Sequence, residues 1–253
     1  MVGGKPQNTM ELFPPVSVSS SMRNPLASAL LAGALILTGC DVDIDDLGGA
    51  REEEPFHHSY DFKPGSRLLL ENYNGSVEIS AWNQAKIEID GVRFASTRER
   101  LEQVRVDISR GAESIAIRTV PPPDRSGNSG ARFTIRVPEE VVLELIKSTN
   151  GSVRVNGTRG AAVLRTTNGA VRVASVSGNV NASSTNGSIE CLSVKGAVDV
   201  RTTNGRVKIE AVEGPIDAST TNGSISAEMT RSTDDRKLRF STTNGSISLR
   251  LPA

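Results

Sequence analysis

Aromatic side chains are scarce in this chain. Phe, Trp and Tyr make up 4% of the residues, and the apolar positions are filled mostly by Val, Ile, Leu and Ala. That argues against a thick globular core, because small β-branched side chains suit a thin one between pleated surfaces. Cysteine is scarcer: Cys40 and Cys191 are the only two, too few and too far apart for a disulfide framework. Histidine is confined to His57 and His58. An excess of one charge is also missing. With 29 basic and 29 acidic residues, no net field favours nucleic acid or an anionic membrane surface. A length of 253 residues leaves room for one large or two ordinary domains.

Residues 1–39 are an extension followed by an export address. Residues 1–21, with Pro6, Pro14, Pro15 and a Ser19-Ser20-Ser21 run, suggest no structured element. Met22 is the expected start of translation. Arg23, the apolar run from Leu26 to Leu37 and the small residues Thr38-Gly39 make a secretory signal too short to span a membrane. Leu37-Thr38-Gly39-Cys40 resembles the lipobox of bacterial lipoproteins, with cleavage between Gly39 and Cys40 and acylation of Cys40, whose thiol supplies the nucleophile for thioether formation. An ordinary signal peptide in which Cys40 is incidental is the plainer alternative. Asp41 resembles the retention signal of Gram-negative inner-membrane lipoproteins; otherwise the outer membrane or cell surface is expected. Residues 40–58, rich in Asp and Glu, are expected to form a solvated tether rather than a metal site, because nothing flanking them would hold ligands in fixed geometry.

Residues 59–148 read as irregular β structure with one short helix. Alternation marks strands near 66–71, 74–79, 86–89, 104–108, 114–117, 131–138 and 141–145. Thr97 caps a helix running to Val104, and Pro121-Pro122-Pro123 opens an exposed loop.

From residue 149 one tripeptide dominates. Thr-Asn-Gly recurs with its corners at Asn150-Gly151, Asn168-Gly169, Asn186-Gly187, Asn204-Gly205, Asn222-Gly223 and Asn244-Gly245. The asparagines step by 18 four times (150, 168, 186, 204, 222) and then by 22 (to 244), and a fixed period of this size marks a repeat architecture. With each Asn as position 1, apolar residues fill positions 4, 6, 13 and 15, and position 9 is Thr158, Val176, Val194 and Val212. Position 11 is Gly160, Gly178, Gly196 and Gly214. An antiparallel meander with Asn-Gly hairpins obeys this pattern, and so does a β-solenoid. Identity between equivalent positions of successive repeats favours the solenoid, in which coils stacked about 4.8 Å apart set Asn on Asn in amide ladders. Corner glycines are then expected to turn through positive φ. The longer last step, with Arg231 to Lys237 inside it, is expected to bulge or cap the stack.

Asn74-Gly75-Ser76-Val77 repeats the signature in degenerate form. With Tyr73, Glu78, Ile79, Trp82, the Ile135-Arg136-Val137-Pro138 strand and the Thr-Asn-Gly array, residues 60–253 resemble the bacterial putative-adhesin family of β-strand-repeat proteins, formerly a domain of unknown function. The resemblance implies an all-β repeat domain at the cell envelope and carries over no catalytic residue. The expected fold is therefore an all-β, β-helix-like solenoid of 18-residue coils. The expected function is a non-catalytic envelope lipoprotein for adhesion or envelope interaction, without cofactor, metal or nucleic acid. Its partners are the lipid bilayer through acylated Cys40 and an envelope protein or glycan. A sensing scaffold that docks a protein is the alternative, and a glycan-active enzyme using Glu190, Asp199 and Asp217 is a third. Cys191, at an inward position among valines, is expected to be a buried, inert thiol. Cys40→Ala is expected to abolish incorporation of labelled fatty acid in cells, and unchanged labelling would remove the anchor.

Overall fold

A computed structural model describes residues 51–124, 128–229 and 237–251. The signal segment, Gly39, Cys40, Asp41 and residues 230–236 of the longer last step lie outside these residues. In chain order the first elements are β1 (Glu52–Asp61), β2 (Arg67–Asn74), β3 (Val77–Trp82), β4 (Lys86–Ala95), α1 (Arg98–Gln103), β5 (Arg105–Arg110), β6 (Ser114–Val120) and β7 (Gly130–Pro138). Thr97 caps α1 by accepting a hydrogen bond from the Arg100 amide at 3.4 Å.

The repeats supply β8 (Val142–Asn150), β9 (Val153–Asn156), β10 (Ala162–Asn168), β11 (Val171–Val176), β12 (Val180–Asn186) and β13 (Ile189–Val194). They continue through β14 (Val198–Asn204), β15 (Val207–Glu210), β16 (Ile216–Asn222), β17 (Ile225–Glu228), β18 (Leu238–Asn244) and β19 (Ile247–Arg250). Even-numbered strands of the array join one sheet and odd-numbered strands the other. Neighbouring strands are parallel, and Val171 pairs with Ile189 and Val180 with Val198, each with its equivalent in the next coil. A meander requires antiparallel neighbours. The array is a solenoid.

Every second side chain of each array strand faces the other sheet. Val153, Val155, Val171, Val173, Ile189, Val207 and Ile209 are buried in one sheet, and Ala162, Leu164, Val180, Val198 and Ile216 in the other. This core is thin and continuous along the stack. Aromatic residues gather at its N-terminal end instead. The Phe56 ring occupies the space a Cβ on Gly91, its partner across β1 and β4, would fill, and it meets Phe133 edge-on with centroids 5.9 Å apart. The Arg136 guanidinium lies 5.0 Å over Trp82.

Spatial order departs from chain order at this end. The coil β2–β3 stacks on β8–β9, so Asn74 pairs with Asn150 and Val77 with Val153. The later segment β6–β7 lies on its other face, and the antiparallel strands β1, β4 and β5 lie beyond that. Residues 52–58 correct the expected tether, because they pair along β4 as part of β1. His57 is held by Asp90 at 2.6 Å on this strand.

Corner geometry differs from expectation too. None of the six Thr-Asn-Gly glycines, nor any at position 11, has positive φ; of the corner glycines only Gly75, in the degenerate first repeat, does (118°). The left-handed residues stand at position 8: Gly157 (80°), Ser175 (54°), Ser193 (56°) and Ala211 (54°). Glycine is required at the corners by close approach. A Cβ on Gly187 would lie under 3.0 Å from the Gly169 carbonyl oxygen, and one on Gly196 would meet Gly178 in the same way. Gly187→Ala is expected to lower unfolding free energy by about 2–4 kcal/mol, because backbone has to move. Ala211→Gly is expected to raise it by about 1 kcal/mol by releasing left-handed strain. Urea denaturation of both variants checks the reassignment of the turn.

Candidate binding groove

Three columns of atoms hold each Thr-Asn-Gly corner. The first is the glycine stack just described. The second is an amide ladder, in which Asn168 Nδ2 donates to Asn150 Oδ1 at 2.7 Å and Asn186 to Asn168 at 2.9 Å. It continues from Asn204 to Asn186, Asn222 to Asn204 and Asn244 to Asn222, each at 2.8 Å. The third is a row of hydroxyls that reach the glycine carbonyl of the preceding corner. Thr166 donates to Gly151 at 2.9 Å, Ser184 to Gly169 at 3.0 Å, Thr202 to Gly187 at 2.9 Å and Thr220 to Gly205 at 3.1 Å. These residues sit one place before the Thr of the tripeptide. Thr167, Thr185, Thr203 and Thr221 themselves are exposed. The repeated Asn and Gly of the corner are therefore occupied with building the coil.

Cys191 lies in the inward column between Val173 and Ile209 and is fully buried. Burial, and then the charge of Glu190, push its thiol up to about 12, so the reactive thiolate does not form near neutral pH. Glu190 itself accepts from Arg172 at 2.6 Å across neighbouring coils. Among the described residues, no three His, Cys, Asp or Glu side chains converge as a metal site requires.

The opposite corner, after position 11, opens a groove of about 490 Å³ across successive coils. Its apolar strip includes Ala161, Ala197 and Pro215 at position 12. Position 14 lines it with a polar row, in which Asn181, Asp199, Asp217 and Arg239 are register partners in turn. Asn181 Nδ2 donates to Asp199 Oδ2 at 3.4 Å, and Arg201 holds the same carboxylate at 3.2 Å. Asn179 receives the Ala197 amide at 2.9 Å and pins the strip. Coil stacking sets these groups about 4.8 Å apart. Of the three carboxylates considered for catalysis, Asp199 and Asp217 share this groove, whereas Glu190 stands on the other sheet. Sequence reasoning finds Asp199 and Asp217 as candidate carboxylates but not the groove that they line. The small side chains at position 12, which leave the trough open, are the available signal.

Residues 66–253 match the family model described as Toastrack DUF4097. The chain belongs to this family. No curated protein matches the sequence. Among solved structures, it is similar to a putative adhesin from Bacteroides fragilis, with 14% identity, covering 78% of this chain and 97% of that one at a TM-score of 0.46. A putative cell adhesion protein from Clostridium sporogenes is 13% identical, covering 78% and 99% at a TM-score of 0.31. A putative lipid binding protein from Parabacteroides distasonis is 11% identical, covering 77% and 96% at 0.38. Among the described residues, no helix is long and apolar enough to cross a membrane.

The division of labour at the corner can be measured. Thr202→Val leaves the Gly187 carbonyl without its donor and is expected to cost about 1–2 kcal/mol. Thr203→Val, one residue on and exposed, is expected to change stability by less than about 0.5 kcal/mol. Equal losses in urea titrations would contradict the assignment.

Proposed function

We propose that this protein is a non-catalytic binding module of the bacterial cell envelope. In this reading, Cys40 is acylated and holds the chain to a bilayer, while the solenoid presents its groove to an extended envelope partner, a glycan or a protein segment. The observation that carries the reading is the groove itself, an apolar strip beside hydrogen-bonding groups repeated at the coil spacing. A repeated row of this kind suits a partner with its own repeat, laid along the solenoid axis. Membership of the Toastrack DUF4097 family supports a repeat domain rather than an enzyme scaffold. The chemistry of the row points the same way. Asp199 is already engaged by Arg201 and Asn181, which hold its carboxylate in a fixed orientation along the row.

Retention of the purified full chain on isolated envelopes and on their glycan fraction tests this. Asp199→Ala combined with Asp217→Ala is expected to weaken retention about tenfold or more, equivalent to about 1.4 kcal/mol, with thermal unfolding little changed. Retention equal to wild type would remove the groove from the proposal. Turnover of the glycan that is lost in the double variant would replace binding with catalysis.

A further inference from the structure

The two ends of the solenoid are finished differently. At the N-terminal end the edge strand β1 begins Glu52-Glu53-Glu54-Pro55, and Glu53 and Glu54 are paired with Arg132 and Arg93. Pro55 has no amide to donate, and acidic side chains blunt an edge against further pairing. The last strands of the other end, β18 and β19, carry one charged side chain each, Arg239 and Arg250, and no proline. β18 and β19 are the last strands of their sheets. Ile247 and Leu249 stand at positions 4 and 6, where Ile225 and Ala227 of the preceding coil are 1% and 3% exposed; here they are 45% and 42% exposed. With Leu251 they are the exposed large hydrophobic residues among those described.

We infer that this C-terminal coil is a self-association surface, on which a second copy of the chain docks end to end with β19 antiparallel to the partner's β19. The surface to be covered is two strand edges about 10 Å apart with apolar side chains between them, and an identical coil end presents a surface of the same form. Head-to-tail stacking would set this edge against the acidic, proline-bearing β1, so the contact is two-fold and closes on itself. Pairing about Ser248 keeps the in–out alternation of both strands. Ile247 then faces Leu249 of the second copy, and Arg250 faces Ser246, so no like charges meet. A β18 strand about 23 Å long and a two-sheet thickness of about 20 Å bury roughly 900 Å² in total, below the range of stable interfaces and within that of weak, transient ones, so the dimer is reversible.

The test uses the full chain carrying Cys40→Ala, which removes the acylation site and its thiol. Sedimentation equilibrium is expected to show a monomer–dimer equilibrium, and Leu249→Lys to raise its dissociation constant about tenfold or more. Because Leu249 is already half-exposed, this variant is expected to keep the wild-type circular dichroism and melting. Ser248→Cys, on the two-fold axis, is expected to give a disulfide-linked dimer under mild oxidation, whereas Ser226→Cys, one coil inward, gives none. A monomer at every concentration, a dimer indifferent to Leu249→Lys, or failure of Ser248→Cys to cross-link would each overturn the proposal.

Discussion

The structure depends on how closely one coil lies upon the next at its corners. Neighbouring strands need a separation near 4.8 Å for their backbone hydrogen bonds, roughly the same in every sheet, and in a stack of identical coils that separation applies to the corners as well. At Gly151, Gly169, Gly187, Gly205, Gly223 and Gly245 the space where a Cβ would stand is taken by the carbonyl of the glycine beneath. The carbonyl thus approached also receives a hydroxyl from the start of the next corner, and the adjoining Asn passes a hydrogen bond along the stack. Each group satisfies a neighbour in another coil, so no coil completes its corner alone. Stability in such an array accumulates coil by coil, as expected of a quasi-one-dimensional fold.

The regular array was legible because this constraint acts at a fixed interval. Position 11 stays Gly, positions 4 and 13 stay apolar, and parallel pairing of equivalent positions in successive coils follows. The cause of the glycine was not legible. A residue that must turn through positive φ and one that must have no Cβ both appear as Gly, and the left-handed bend was carried by Ser175, Ser193 and Ala211, whose side chains give no such sign. The buried hydroxyl was hidden in a similar way. In Thr-Thr-Asn-Gly at 202–205, both threonines suit a strand, and the phase of the pleat alone buries Thr202 and exposes Thr203.

The first half was legible element by element and illegible in its order. Strands and the helix cap at Thr97 fall where alternation and capping chemistry place them. Asn74-Gly75-Ser76-Val77 marks β2–β3 as a coil of the repeat, but its place directly on β8–β9 leaves no local trace, because β4 to β7 are inserted between them in the chain. A bulge at Glu144 adds to the concealment. Leu68 and Leu69 of β2 pair with Leu143 and Leu145, so Ile146 rather than Leu145 takes the fully buried place. β1 escapes a sequence reading because its Glu-rich start resembles a solvated linker. On an edge strand, those same charges protect the sheet from further pairing.

The most regular residues of this chain are consequently the poorest guide to what it does. Asn, Gly and the hydroxyl before them are used up within the corner, and the inward valines within the core. Freedom to carry a function is left to positions the coil does not consume. Position 14 reads Val163, Asn181, Asp199, Asp217 and Arg239, varied in charge yet held in one line by the same stacking that fixes the corners. Position 12, with Ala161, Asn179, Ala197 and Pro215, is constrained only to leave room beside it. A solenoid therefore separates the two roles: repetition builds an evenly spaced surface, and departures from repetition write on it. The groove is where those departures gather.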